Sequence, residues 1–322
     1  MSTHIASESY QTVSAQAPAM VALTSNVGQP LEHQRPPVLQ LNMAISRYDI
    51  AVIEPRDDKE ILVSYEDVMQ TPIEYQDIPE DDLVAVFRAV DELRDYLGRP
   101  KVTSGIDITI QKNIPFDTHL GGRGASAAAV LMALTQLWNA NIAREDLTRI
   151  AHRVELGAVE SLTGGVILSR ESATESTVTQ VLSHRELALV IVPAAADVPL
   201  NELMTILRDL RADQQHDPGR DRLEFDPALL EALAHGRATD VALSMHNDFQ
   251  PAIVSLLPEH NDWLTAGMTE GALAAQTIGP GASLLLLARD FDDATQIAER
   301  FEERMEIAAI PEYGPVAGAQ VL

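Results

Sequence analysis

The chain has 322 residues, 46% of them apolar, which is enough to bury a full core and more than one domain usually encloses, so two compact domains are expected. A formal charge of −25 argues against nucleic acid or an anionic membrane as partner, since both need a basic face to displace counterions. The lack of cysteine excludes disulfides, thiolate metal sites and cysteine nucleophiles, and suits a chain kept under reducing conditions.

Residues 1–11 are polar and aperiodic and are expected to form a tail. The opening MSTHIASESYQTVSAQ lacks the basic and apolar regions of a signal peptide, and no later run is apolar enough to span a bilayer, so a cytoplasmic location is expected. A β-rich stretch follows, with strands at Ile50–Ile53 and Ile61–Ser64 around the charged turn EPRDDKE. Residues 82–97 place Leu83, Val86, Phe87, Val90, Leu93 and Leu97 on one helical face. Ile106, Ile108 and Ile110 then alternate with Asp107, Thr109 and Gln111, the period of a half-buried strand. That strand runs through the loop IPFDTHLGGRG into the helix SAAAVLMALTQLW.

A helix is predicted over 144–157, a strand after Gly164-Gly165 at Val166–Leu168, and a loop or edge strand over 170–179. The run LALVIVP from Leu187 reads as a buried strand, followed by helices at 199–211, 227–235 and 238–246. Ser283–Ala288 is a late buried strand, 290–308 a charged helix and Ala319–Leu322 a short closing strand. The second half thus has its own α/β core, and the expected domains are 12–178 and 179–322. No heptad seam or long exposed apolar stripe argues for an oligomer.

Strand, glycine-bearing loop and small-residue helix together form a phosphate cradle, because glycine lets the backbone approach and the helix start supplies unpaired N–H groups. The candidate nucleotide-binding residues are Leu120, Gly121, Gly122, Arg123, Gly124, Ala125 and Ser126. Lysine occurs only at Lys59, Lys101 and Lys112, so a polyphosphate site must be built locally. Arg123 could pair with a phosphate. Without an anion, a cation at a helix start opposes the dipole by roughly 0.3–1 kcal/mol and should turn to solvent or to an acid such as Asp117. His119 reads as a loop histidine before a base. No metal-binding framework emerges: the histidines are scattered, and 289–293 reads as a helix start.

The stretch IPFDTHLGGRGASAAAVLMALTQLW resembles the second motif of the GHMP kinases, P-x-G-x-G-L-G-G-S-S-A-A, with Pro115, Leu120, Gly121, Gly122, Ala127 and Ala128 in register. APAMVALTSNVGQPLEHQRPPVLQLNMAISRYDI, MHNDFQPAIVSLLPE, GALAAQTIGPGASLLLLARD and YGPVAGAQVL are similar to further segments of one subfamily, the 4-diphosphocytidyl-2-C-methyl-D-erythritol kinases. The resemblance runs from Ala17 to Leu322 and is weakest at 55–80. It implies an α+β, two-domain GHMP kinase fold, with a ribosomal-protein-like N-terminal domain and a ferredoxin-like C-terminal domain. It also implies ATP- and magnesium-dependent phosphoryl transfer to a small alcohol in non-mevalonate isoprenoid biosynthesis.

Pro18, Gly28, Tyr48, Asp49, Pro115, Asn247, Asp248 and Pro251 match the family pattern, but the chemical positions depart from it. Met20 stands at the lysine position, Ala22 at the asparagine, and His33, Gln34, Arg35 and Pro36 replace D-G-Y-H. LGAVESLTGG replaces the aspartate motif, with Val159 at the aspartate itself. Glu160 is then either a surface or capping carboxylate or, if the shortened turn swings it toward the acceptor, the base. SRESATE replaces an arginine-bearing segment, and Thr118 and His119 should crowd the loop. Loss of a base costs about 10²–10⁴ in rate and loss of a charge-stabilising donor roughly 3–4 kcal/mol, so a weak or inactive kinase homologue is expected, able to bind a nucleotide or a protein partner. The alternative is an active kinase on this or another small hydroxyl acceptor through Glu160 and Arg123. A more remote one reads Gly124-Ala125-Ser126-Ala127-Ala128 as a serine-hydrolase elbow with Ser126 as nucleophile.

Overall fold

A computed structural model of the chain describes residues 11–28, 36–99, 105–172, 174–196, 198–212, 223 and 226–322. The first ten residues of the expected tail, and His33, Gln34 and Arg35, lie outside the described residues.

The first half is built on two long strands, β1 (Val13–Val27) and β2 (Val38–Arg56), paired antiparallel from Val13↔Ile53 to Val27↔Val38. The predicted strand at Ile50–Ile53 is the inner part of β2. The register shifts beside Pro18, which has no N–H to give to a ladder, and again between Ala22 and Thr24. Next come β3 (Ile61–Glu66), β4 (Pro72–Ile73), the helix α1 (Glu80–Tyr96), β5 (Gly105–Gln111) and the helix α2 (Gly122–Leu137). On α1, Leu83, Val86, Val90 and Leu93 are buried as expected, whereas Phe87 is exposed and Ala85 and Ala89 take its share of the buried face. Small residues suit that face because α1 lies directly against α2.

Two short helices follow, α3 (Arg144–Val154) and α4 (Leu156–Thr163), then the hairpin β6 (Val166–Glu171) and β7 (Ser176–Val181). The single helix expected over 144–157 is therefore two, because Glu155 takes an extended conformation (φ −170°, ψ 165°) and restarts the chain in a new direction. Among the described residues β7 pairs only with β6, the edge-strand option of the sequence reading. β2 holds the fork of this sheet: its first part pairs with β6 and its last part with β5.

The second half contributes β8 (Leu187–Val192), α5 (Leu200–Ala212), α6 (Pro227–His235), α7 (Ala238–Ser244), β9 (His246–Asn247), α8 (Gln250–Leu256), α9 (Glu259–Thr269), β10 (Ala274–Thr277), β11 (Leu284–Ala288), α10 (Phe291–Met305), β12 (Ile310–Gly314) and β13 (Gln320–Val321). The helix expected over 238–246 ends at Ser244, and His246 and Asn247 instead join β1 as a parallel strand. Among the described residues, nine strands form the first sheet and four form a second, antiparallel one ordered β10-β11-β8-β12. α10 covers the second sheet with Ala294, Ile297, Ala298 and Phe301, the apolar side of an otherwise charged helix. The result is a two-part α+β architecture; no helix among the described residues is long and apolar enough to cross a membrane.

Side-chain amides join the two parts. Asn247 donates to the Thr277 and Gly279 carbonyls at 2.9 and 2.7 Å, and Gln276 donates to the Ala22 and Leu23 carbonyls at 3.0 and 3.1 Å. The Gln276 bonds tie the second sheet to β1, and the Asn247 bonds tie β9 to the turn at Gly279. Within the first half, α2 and α4 meet backbone to backbone: a Cβ on Gly124 would lie 2.3 Å from the Gly157 carbonyl carbon. Gly124→Ala is accordingly expected to cost about 1–3 kcal/mol by forcing the helices apart, measured as a lower midpoint in urea denaturation.

Candidate active site

The cradle begins where β5 ends. Lys112 closes the strand, the chain loops through 113–121, and α2 starts at Gly122, four residues before its sequence-predicted start at Ser126. Gly121 caps α2 in the left-handed conformation (φ 72°) and offers no side chain, so the first N–H groups of α2 face outward without a side-chain acceptor. A side chain at Gly121 would be doubly opposed, by that φ and by Met20, whose Cβ lies 3.2 Å from where its own would stand. In front lies a cleft of about 460 Å³, lined by Leu120, Gly121, Gly122, Arg123 and Gly124 on one side and by Glu160 and the turn at Gly279 on the other.

Of the loop residues predicted to hold a nucleotide, Leu120 to Gly124 line this cleft, and Ala125 and Ser126 do not. Ser126 is wholly buried one turn inside α2, where its hydroxyl donates to Asp49 Oδ2 at 2.9 Å and accepts from Lys112 Nζ at 3.2 Å. A nucleophile must meet its substrate, so the serine-hydrolase reading is corrected: Ser126 braces the loop from behind. Thr118 and His119 both line the cleft beside the cradle. The Thr118 hydroxyl donates to the Pro115 carbonyl, and the Thr118 carbonyl accepts from Ser283 of the second half, both at 2.8 Å. His119 packs on Gly281, where an added Cβ would lie 2.5 Å from its Cγ, and desolvation holds the imidazole below its ordinary pKa despite Asp117 nearby.

Beneath the loop sits a buried ionic floor. Asp49, fully buried, accepts the N–H groups of Asn113 and Ile114 at 2.9 Å each, and Lys112 Nζ lies 2.6 Å from its other oxygen. Lys112 also stands 3.7 Å from Asp82 of α1 and 5.1 Å from the centre of the Phe116 ring. Burial raises the Asp82 pKa, and the charges of Lys112 and Arg123 only partly offset it. The motif reading passed over Lys112 and Asp82. The signal for Lys112 was the scarcity of lysine itself: it is the one lysine flanking the glycine loop.

Arg123 turns to solvent and to acidic neighbours, though these are not Asp117, the example named from the sequence. Its Nε lies 2.5 Å from Glu155 and its Nη1 3.2 Å from Asp81, which bridges α2 to α1 and to the break before α4. Asp117 is close in sequence and left-handed (φ 57°), but the break at Glu155 is what aims a carboxylate at the start of α2. Burial raises the Glu155 pKa, with Arg123 opposing the rise. The Arg123 side chain is 46% exposed, so this bridge is a partly solvated one. Arg123→Ala is expected to change stability by less than about 1 kcal/mol in chemical denaturation.

At the far end of the cleft stands Glu160. It is neither a surface nor a capping carboxylate: it is 8% exposed, lines the cleft and accepts from Asn42 Nδ2 at 2.9 Å. Asn42 also reaches Ser169 at 3.1 Å, so β2 and β6 hold the carboxylate from behind. Desolvation raises the Glu160 pKa; hydrogen bonds from Ser169 and Asn42 resist the rise, and Glu171 and Glu155 add to it. Val159 faces the core instead, and Met20 and Ala22 form an apolar wall on β1. The restart at Glu155 sets which face of α4 reaches the cleft, and Glu160 rather than Val159 lies on it.

A glycine loop over an uncapped helix start, opposite a buried carboxylate in a cleft between two α+β parts, is the scaffold of a small-molecule kinase. The model of the GHMP kinases N terminal domain matches residues 85–167 and that of the GHMP kinases C terminal domain residues 229–307. A 4-diphosphocytidyl-2-C-methyl-D-erythritol kinase of Paenarthrobacter aurescens is 28% identical over 312 residues, 97% of this chain and 96% of its own length. One from Thermobifida fusca is 30% identical over 318 residues, 97% and 98% of the two chains. The fold is also that of the crystal structure of homoserine kinase from Cytophaga hutchinsonii, with a TM-score of 0.74 and 20% identity over 98% of each chain. The chain belongs to the GHMP kinase family, and it resembles the 4-diphosphocytidyl-2-C-methyl-D-erythritol kinases along nearly its whole length.

Proposed function

We propose that the chain is a cytoplasmic ATP-dependent phosphotransferase that phosphorylates a small hydroxyl acceptor with Glu160 as general base, and that it turns over the diphosphocytidyl substrate named for its curated relatives only slowly. The observation that carries this reading is the position of Glu160, in one cleft with the N–H groups at the start of α2 and held by Asn42. In this reading the triphosphate lies on the backbone of Gly121–Gly124. The acceptor oxygen attacks the γ-phosphorus as its proton passes to the Glu160 carboxylate, the bond from that phosphorus to the bridging oxygen breaks, and ADP leaves. Magnesium would arrive with the nucleotide and neutralise phosphate charge, since no group of three or more acidic or histidine side chains among the described residues is placed to hold a metal by itself.

The low rate on the relatives' substrate follows from Met20. A methionine fills the volume of a lysine but carries no charge toward an acceptor or a transferring phosphoryl group. The two cations among the described lining residues, Lys112 and Arg123, are already engaged by Asp49 and Asp82 and by Glu155 and Asp81. That same observation favours a second reading, a retained scaffold that binds nucleotide without transferring phosphate. Calorimetry with adenylyl imidodiphosphate and magnesium, together with ADP release in the presence of candidate acceptors, separates the two. Acceptor-dependent ADP release supports transfer, nucleotide binding with no release supports the scaffold, and absence of nucleotide binding overturns both.

A further inference from the structure

The cation best placed to meet a phosphate is bonded to carboxylates instead. Arg123 is the second residue of α2, beside the N–H groups that open toward the cleft, and it lines that cleft. Its Nε lies 2.5 Å from Glu155 Oε2 and its Nη1 3.2 Å from Asp81 Oδ2. The two acids are placed differently. The Asp81 side chain is 80% exposed on α1, whereas that of Glu155 is 19% exposed and lines the cleft. Glu155 Oε1 lies 3.2 Å from where a Cβ on Gly157 would stand, and Gly157 packs on Gly124, so this carboxylate rests at the start of α2.

We propose that Glu155 is a built-in competitor for polyphosphate: with Asp81 it holds Arg123 off the cradle, and a bound nucleotide takes the guanidinium over to its own phosphates. This proposal rests on the kinase reading above and deepens it, by giving the phosphate loop a cation that must first be released.

The guanidinium presents one fork of donors, which fits a carboxylate or a phosphate but not both at once. Arg123 is free to exchange because its bridges are partly solvated, and such bridges are weak. Lys112 cannot take this part: its side chain is 3% exposed and stands 2.6 Å from Asp49 and 3.7 Å from Asp82. The charged groups around Glu155 are Arg123 from α2, Asp81 and Asp82 from α1, and Glu160 on α4. Arg88 of α1 is nearby but donates to the Val154 carbonyl. Once Arg123 crosses to a phosphate, Glu155 is left among acids, and its pKa, already raised by burial, rises further. Glu155 then takes up a proton more readily, which removes its repulsion toward the nucleotide.

The test titrates the full chain calorimetrically with adenylyl imidodiphosphate and magnesium, with inorganic tripolyphosphate and magnesium, and with adenosine. Glu155→Gln keeps the side-chain shape and removes its charge. At pH 8 it is expected to tighten both phosphate probes about five- to tenfold and to leave adenosine unchanged. Asp81→Asn releases the same latch from its exposed side and should tighten them about twofold, which also tests the proposal should Glu155→Gln fold poorly. Asp117→Asn removes a charge from the cleft lining but not from the Arg123 bridge and should have a smaller effect. Adding Arg123→Ala to Glu155→Gln should abolish the gain. Between pH 8 and pH 5 the advantage of Glu155→Gln should shrink, because the wild-type carboxylate is progressively neutralised. An unchanged affinity, a gain that persists without Arg123, an equal gain for adenosine or from Asp117→Asn, or an advantage independent of pH would each overturn the proposal. Nucleotide binding by the wild type with no gain in the variants removes this proposal alone. Absence of polyphosphate binding in the wild type and in every variant removes the kinase reading with it.

Discussion

Replacing Glu160 by glutamine is expected to lower acceptor-dependent ADP release by about 10²–10⁴-fold, while leaving nucleotide affinity nearly unchanged. Glutamine keeps the shape of the side chain and can still accept from Asn42, but it cannot take the acceptor proton. Desolvation raises the pKa of Glu160, so the wild-type rate should climb with pH as that carboxyl ionises, and the residual rate of the variant should lack this limb. The same substitution is expected to stabilise the protein. A folded-state pKa above the unfolded value means that the contribution of Glu160 to stability is fully present below its unfolded pKa and is lost as pH rises through the raised folded one. Near pH 4 the variant and the wild type should therefore melt together, and near pH 8 the variant should melt roughly 2–6 °C higher. A variant that retains full turnover, or one that is less stable at pH 8, removes Glu160 from the role of base held at a cost in stability.

Lys112→Met is expected to destabilise the fold by about 3–5 kcal/mol, the cost of leaving a buried charge without its partner. Asp49 has no exposed surface, and Lys112 is the cation in contact with it. Its remaining partners, the N–H groups of Asn113 and Ile114 and the Ser126 hydroxyl, tie the start of the loop to α2, so the strain falls directly on the cradle. Asn at position 49 could still accept from those N–H groups without carrying charge. Adding Asp49→Asn to Lys112→Met should consequently recover a large part of the loss, giving a coupling in a double-mutant cycle well above about 0.5 kcal/mol. Additive effects of the two substitutions in urea denaturation would mean that the ion pair is not what holds the loop.

These two residues differ in how far the sequence revealed them. The alternation of Ile106, Ile108 and Ile110, the glycines of the loop and the alanine-rich run were local patterns, and they led to β5, the cradle and α2 with one early helix start as the difference. Lys112 was visible as a residue but not as a partner of Asp49, because the strand pairing of β2 with β5 brings together positions far apart in the chain. Asp117 was named for Arg123 because it is near in sequence. The acids that engage Arg123 come instead from α1 and from the break before α4, which only packing makes neighbours.

The amino-acid order by itself determined the family, the two-part α+β fold and the succession of strand, glycine loop and small-residue helix, because each of these is a local pattern or a residue identity. The tertiary structure decided which side chains share the cleft. One extended residue, Glu155, interrupts a run that reads as a continuous helix and sets the direction of the next one. That direction leaves Val159 in the core and Glu160 in the cleft, and the burial that follows raises the pKa of the carboxylate.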